Sequence, residues 1–391
     1  MISESRCFHQ ADALFGEWVE LRRSLHRHPE LGNREFSTAE KIRRYLHHCG
    51  FEITLPFGTA TVAILKGGLP GKTVALRSDM DALPIREATG LPFASENPGV
   101  MHACGHDFHM TFVLGAAKLL SMQKDRLRGS VMLIFEPDEE GSGGAQRLME
   151  TGLIDRAQAV FGCHVDPTLP VKTIGLKPGH FYAASNPFSI TFHGKSCHAA
   201  RPQDGTDCLF AAAETAVALR NLTDLKSASP RVVSVCTIHG GTAVNVLPES
   251  VEITGIIRTH GEENRRDTLA QVQKLALLAA GQTGTRAKIR ITDGYLGVEN
   301  DPRDCEFVRR FLARCGLNEQ IRLFSKPLMT TEDFGCFTHH KAGQFFHIGV
   351  GGSGVLHSPV FCPDEAALPF GVAVLAGLCE EYLNQTETST T

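Results

Sequence analysis

A basic surplus is missing from this sequence: 39 lysines and arginines face 43 aspartates and glutamates, for a formal charge of -4. Chains that grip nucleic acid or an anionic membrane carry the opposite balance, so neither partner is expected. No run approaches the ~18 apolar residues of a membrane span. The opening residues, MISESRCFHQADALF, show neither the basic start nor the apolar stretch of a secretion signal. The twelve cysteines have no paired spacing, and with no signal they read as reduced thiols in a cytoplasmic protein. Internal repeats and low-complexity tracts are missing too. What remains is an ordinary globular composition over 391 residues. That is more than one hydrophobic core usually serves, so two domains are expected.

The periodicities sort into two patterns. Trp18, Leu21 and Leu25 share a helical face that should end before Pro29. Ser37-Thr38-Ala39-Glu40 reads as a capping box opening a second helix that stops near Gly50. Strands are expected at 51–55, 61–65 and 73–77, then a helix over 107–122, a buried strand at 131–135, a helix over 144–151 and a strand at 159–165. Three of these strands deliver polar residues at their carboxyl ends, where open α/β sheets place ligands. The alternation argues for an α/β layer fold.

The middle breaks that pattern. Strand 188–193, helix 209–222, strands 232–239 and 251–259, helix 263–280 and strand 287–293 give β-α-β-β-α-β, the ferredoxin-like arrangement. Helices over 305–315 and 332–340, a strand at 345–350 and a long helix from 364 then resume the first pattern. The expected layout is a discontinuous domain of residues 1–181 and 295–391, interrupted by an α+β insertion over 182–294. The tail from 384 onward is polar and expected to fray.

Chemistry concentrates in Met101–His109, M-H-A-C-G-H-D-F-H, which holds a thiol, three imidazoles and a carboxylate. Cys104 and His106 stand two apart, so one short segment aims both at one cavity. By itself this spacing is weak, since a buried cysteine near a histidine is commoner than a metal site. Glu139-Glu140 at a strand end, His164 after Phe161-Gly162-Cys163, and His357 before Ser358-Pro359 strengthen it. Two divalent ions ~3.5–4 Å apart need several ligands, with one or more shared. The candidates are Cys104, His106, Glu140, His164 and His357. Of the adjacent pair Glu139-Glu140, one carboxylate can hold metal while the other moves the proton of an attacking water.

These motifs, in this order, resemble the M20 metallopeptidase family, in its amidohydrolase branch of hippurate, auxin-conjugate and N-acyl-amino-acid hydrolases. The resemblance rests on Leu25–Leu31, Arg77–Pro84, Met101–His109, Glu139–Gly141, Gly162–His164, Gly194–Pro202, Asn245–Pro248, Thr331–Phe334 and Leu356–Pro359. It implies a zinc-exopeptidase-like catalytic domain with a mixed sheet flanked by helices, plus a lid and dimerisation domain. It implies Cys104, His106, Glu140, His164 and His357 as ligands of two divalent ions (zinc, manganese, cobalt or nickel), with Cys104 shared. Glu139 is then the general base, and Asp81 supports the metal site from behind its ligands. His102 and His109 are rival ligands, read instead as neighbouring support. His198 holds the substrate carbonyl oxygen, reaching a partner subunit, which implies a homodimer or larger homo-oligomer through the inserted domain. Asn245 and Arg258 recognise the substrate carboxylate, a task suited to arginine's planar fork.

The reaction implied is hydrolysis of the amide of an N-acyl-L-amino acid. An N-acetyl-diaminopimelate or N-acetyl-cysteine deacetylase, a dipeptidase and a catalytically silent metal binder are the alternatives. The sequence departs from the branch at Glu136 and Asp138, where glutamine and alanine are usual. Asn186 stands for an aspartate, and Gln203 for a histidine. The added acidic charge is expected to raise the pKa of Glu139 or alter the metal preference.

Overall fold

Val131-Met132-Leu133-Ile134-Phe135 is apolar at every position, which suits a strand covered on both faces. The structure, a computed structural model that describes residues 2–385, places this run at the centre of an eight-stranded mixed sheet. Its strands are β1 (Glu52–Thr54), β2 (Thr61–Lys66), β3 (Leu69–Asp79), β4 (Arg128–Glu136), β5 (Ala159–Asp166), β6 (Ile174–Leu176), β11 (Ile321–Leu323) and β12 (Ala342–Gly349). Their order is β1-β2-β4-β3-β5-β12-β6-β11. The four central strands β4, β3, β5 and β12 run parallel, so their carboxyl ends share one edge. Register sets Asp79 beside Glu136 and His347 beside His164 on that edge.

Helices α1 (Ile2–Ala13), α2 (Phe15–His26), α3 (Phe36–His48), α4 (His106–Ser121), α5 (Ala145–Glu150), α8 (Pro302–Arg314) and α10 (Leu368–Leu383) belong to the same unit. α4 and α10 are buried along almost their whole length. The segment Glu365–Leu383 is long and apolar enough to cross a membrane by length and composition, contrary to expectation. It lies mostly buried within the protein, where it packs as a core helix.

The second unit, residues 180–299 with 326–335, carries a four-stranded antiparallel sheet. Its strands are β7 (Ala184–His193), β8 (Arg231–Gly240), β9 (Ser250–Thr259) and β10 (Arg286–Ile291), in the order β8-β9-β7-β10. Helices α6 (Cys208–Arg220) and α7 (Glu262–Thr283) complete a β-α-β-β-α-β succession. Phe188, Ile190 and Phe192 of β7 pack with Val272 and Ala276 of α7 in a core of its own.

Three local expectations are corrected. Ser37 does not open a capping box: α3 starts at Phe36, and Glu30 accepts from Ser37 N (3.2 Å), Thr38 N (2.8 Å) and Thr38 Oγ1 (2.9 Å). The orphan first-turn donors are thus satisfied from outside the helix. The helix expected over 332–340 is one turn, Gly335–Thr338 (α9). The short strands β6 and β11 were not expected, being too brief to show a period. Of the tail expected to fray, 386–391 lie outside the described residues.

Candidate metal centre

Gly105 begins the site. Its φ of 89° lies in the left-handed region, and a Cβ there would overlap the Val165 side chain. The tight turn therefore presses Cys104 and His106 against the carboxyl end of β5. His357, at a φ of 62°, donates its main-chain N–H to Ala103 O at 2.8 Å. That bond brings a loop from the far end of the chain onto the Cys104 segment. Strained backbone of this kind clusters at functional sites.

Cys104 Sγ lies 3.3 Å from Nε2 of His164 and 3.3 Å from Nε2 of His357. His357 Nε2 is also 3.0 Å from Glu140 Oε1. Two three-residue groups able to hold a cation result, Cys104 with His106 and His164, and Cys104 with Glu140 and His357. In each, the donor atoms lie within 4.8 Å of one another, and Cys104 is common to both. Glu139 groups with His106 and Glu140 on the same criterion.

The surrounding bonds orient these donors. His164 Nδ1 donates to Val165 O at 2.8 Å, which fixes the tautomer and leaves the Nε2 lone pair facing Cys104. Asp81 Oδ2 accepts from Glu140 N at 3.0 Å, and its Oδ1 lies 3.3 Å from His106 Nδ1. His109 is accounted for without a metal: Nδ1 bonds Asp79 Oδ1 at 2.7 Å and Nε2 accepts from Val165 N at 2.9 Å. His102 is buried, makes no hydrogen bond through either ring nitrogen, and belongs to no cation-capable group among the described residues. Burial pushes its pKa down to about 3, so the ring is neutral.

The electrostatics ask for a cation. Burial, then the nearby carboxylates of Glu140 and Glu139, hold the Cys104 thiol well above its ordinary pKa. Burial opposes charge on His106, but Asp79 and Asp81 outweigh it and raise its pKa to about 10. Nδ1 of His106 faces Asp81, and its Nε2 is buried without a hydrogen-bond partner. A divalent ion would satisfy Nε2 and stabilise the thiolate, and the mixed sulfur, nitrogen and oxygen donors suit transition metals. The residues present fit the group.

Of the departures in sequence, Glu136 carries little charge into this site. Glu136 accepts from Arg77 Nε at 2.8 Å, both side chains fully buried, so its charge is neutralised at source. Asp138 takes a φ of 61° and accepts from Asn33 Nδ2 (2.6 Å), Ser142 N (3.0 Å) and Ser142 Oγ (2.5 Å). Aspartate tolerates that conformation better than most residues, and here it ties a loop together. Asn186 uses both ends of its amide, donating to Thr292 O and accepting from Arg265 Nε at 2.8 Å. Gln203 lies exposed in the turn Pro202–Asp204.

Sequence reasoning gave Asp79 and Arg77 no role in the site. Asp79 is fully buried, and the rings of His106 and His109 with the Arg77 guanidinium hold its pKa well down against the cost of burial. The signal was present in Ser78-Asp79-Met80-Asp81, where two carboxylates flank one residue at a strand end.

In the second unit, His198 pairs in register with Val246, and Ala199 N donates to Asn245 O at 2.9 Å. Ala200 N donates to His198 Nδ1 at 3.0 Å, which leaves an N–H on the exposed Nε2. Arg258 on β9 is half-buried, with its Nη1 enclosed and lacking a hydrogen-bond partner.

Comparison with known proteins gives a consistent picture. Residues 75–381 match peptidase family M20/M25/M40. The chain is 37% identical over 357 residues to the N-acetylcysteine deacetylase of Bacillus subtilis, covering 90% of this chain and 92% of that protein. It is 34% identical over 382 residues to thermostable carboxypeptidase 1 of Saccharolobus solfataricus, covering 94% and 96%. A solved structure from Bacillus subtilis, a dinuclear metal-binding peptidase of the M20 family, aligns with a TM-score of 0.86 at 34% identity. That alignment covers 95% of this chain and 99% of the other.

Proposed function

We propose that this chain, which belongs to peptidase family M20/M25/M40, hydrolyses the amide bond of N-acyl-L-amino acids with two bound divalent cations. The observation that carries this reading is the pair of cation-capable groups joined at Cys104 with Glu139 beside them. Cys104, His106, Glu140, His164 and His357 would hold the cations, which would polarise a carbonyl and could lower the pKa of water from 15.7 to about 7.

The chain's own residues do the rest. Glu139 takes the proton of the attacking water and returns it to the leaving nitrogen. His198, fixed with its N–H on Nε2, donates to the oxygen that gains charge as the carbonyl is attacked. The Arg258 guanidinium, with an enclosed and unsatisfied Nη1, takes the substrate carboxylate together with Asn245. A deacetylase of N-acetylcysteine and a carboxypeptidase both cut an amide whose nitrogen belongs to an amino acid with a free carboxylate, so their similarity to this chain favours the same recognition. A cytoplasmic location and a homodimer through the second unit belong to the same proposal. Exposed Leu209, Phe210 and Val217 on α6 support the assembly.

The test is amine release from a panel of N-acetyl-amino acids with added Mn²⁺ or Zn²⁺, beside Glu139→Gln. Turnover should fall by roughly 10²–10⁴-fold in the variant. Metal content should stay at two per chain. Unchanged turnover in Glu139→Gln would remove the mechanism, and two bound metals with no turnover on any acyl-amino acid or dipeptide would favour a silent binder.

A further inference from the structure

The first turn of α4 carries His106, yet that helix begins without a side-chain cap, because its N-cap is Gly105. The turn is held instead by Asp107. Its Oδ1 accepts from Phe108 N at 3.0 Å, and its Oδ2 accepts from Arg22 Nε at 2.8 Å and bonds His26 Nδ1 at 2.7 Å. Arg22 and His26 lie one helical turn apart on α2, so both reach the same oxygen.

The two partners are themselves fixed. Arg22 Nη1 lies 3.3 Å from Glu365 Oε1, and His26 Nε2 lies 3.3 Å from Glu87 Oε1. The Arg22 guanidinium also sits 5.1 Å from the Phe93 ring centre and 4.8 Å from that of Phe108. Arg22, His26 and Asp107 are each about 1% exposed or less. Burying such a set costs desolvation that the ion pairing scarcely recovers, and apolar replacements of like volume are often neutral or stabilising. Stability therefore does not explain the arrangement. Geometry does, since a planar fork and a ring hold one carboxylate in one place.

We infer that Arg22 and His26 are positioning residues for the metal centre, acting through Asp107 to set the α4 turn that presents His106. The inference rests on the proposed two-metal function. It carries an asymmetry: His106 belongs to the group with Cys104 and His164 and not to the group of Cys104, Glu140 and His357. Loss of the Arg22 fork should loosen one cation and spare the other.

The experiment titrates zinc against a chromophoric chelator in the wild-type chain, Arg22→Met, Arg22→Lys and His26→Gln, with the urea midpoint of each as a control of folding. Arg22→Met should weaken one of two ions by roughly 10–100-fold and leave the other near its wild-type affinity, and it should also lower the midpoint, because it leaves the Asp107 carboxylate buried without its main partner. Arg22→Lys, which keeps the charge but loses the fork, should recover part of the loss. His26→Gln should weaken the same ion, and it carries the test if Arg22→Met does not fold. Wild-type affinities for both ions in the variants would overturn the inference alone. Equal weakening of both ions with a lowered midpoint would overturn it too, leaving a merely structural role. A wild-type chain that binds fewer than two ions would overturn the two-metal reading itself, and this inference with it.

Discussion

The main-chain N–H of Glu140 donates to Asp81 Oδ2 at 3.0 Å. The other oxygen of that carboxylate lies 3.3 Å from His106 Nδ1. One buried group thus sets the loop after β4 and the ring at the head of α4 against each other, although they come from separate parts of the chain.

Removing that bridge should cost metal before it costs fold. Asp81→Ala is expected to weaken cation binding by roughly 10–100-fold. Amine release should fall with it, while the circular dichroism spectrum is retained. Metal titration checks this, and an unchanged affinity would deny Asp81 the role.

How much of this was legible in the sequence depends on the distance between partners. The strands 131–135 and 159–165 were legible because full burial leaves continuous apolar runs. Cys104, His106, Glu140, His164 and His357 stood out as a thiol, imidazoles and a carboxylate at turns and strand ends, where open α/β sheets place ligands. The Glu30 carboxylate under α3 was not legible, since Ser37-Thr38-Ala39-Glu40 offers a local cap that tertiary structure overrides. Nor was the neutralisation of Glu136, because Arg77 is 59 residues away and meets it only when β3 and β4 pair. Strands β6 and β11 span three residues each, too few for any period to declare itself.

Glu87 gives a prediction about pH. Burial disfavours its charge, but hydrogen bonds from His26, Thr89 and the Ser95 N–H prevail and bring its pKa down to about 2 from 4.5. A depressed carboxyl stabilises the fold fully above the unfolded value and loses that contribution as pH falls through the folded one. Glu87→Gln should therefore lower the urea midpoint at pH 6. The gap to the wild type should close between pH 4.5 and 2. A gap independent of pH would contradict this account of the carboxylate.

The crossing of α4 and α10 gives a prediction about packing. A Cβ at Gly115 would overlap both methyls of Val372, and one at Gly371 would overlap the Phe112 ring. Alanine gains about 1 kcal/mol over glycine in a helix. Overpacking a closed core costs about 1–3 kcal/mol. Steric cost should win, so Gly115→Ala is expected to lower the urea midpoint, with Val372→Ala restoring part of it. A raised midpoint in the single variant would show that the helices separate freely.

The central claim is that two cations share the sulfur of Cys104, and anomalous diffraction from crystals soaked in Mn²⁺ tests it most directly. Two anomalous peaks per chain are expected. Both should lie within bonding reach of Cys104 Sγ, one beside His106 and His164 and the other beside Glu140 and His357. A single peak, or peaks remote from Cys104, would contradict the account.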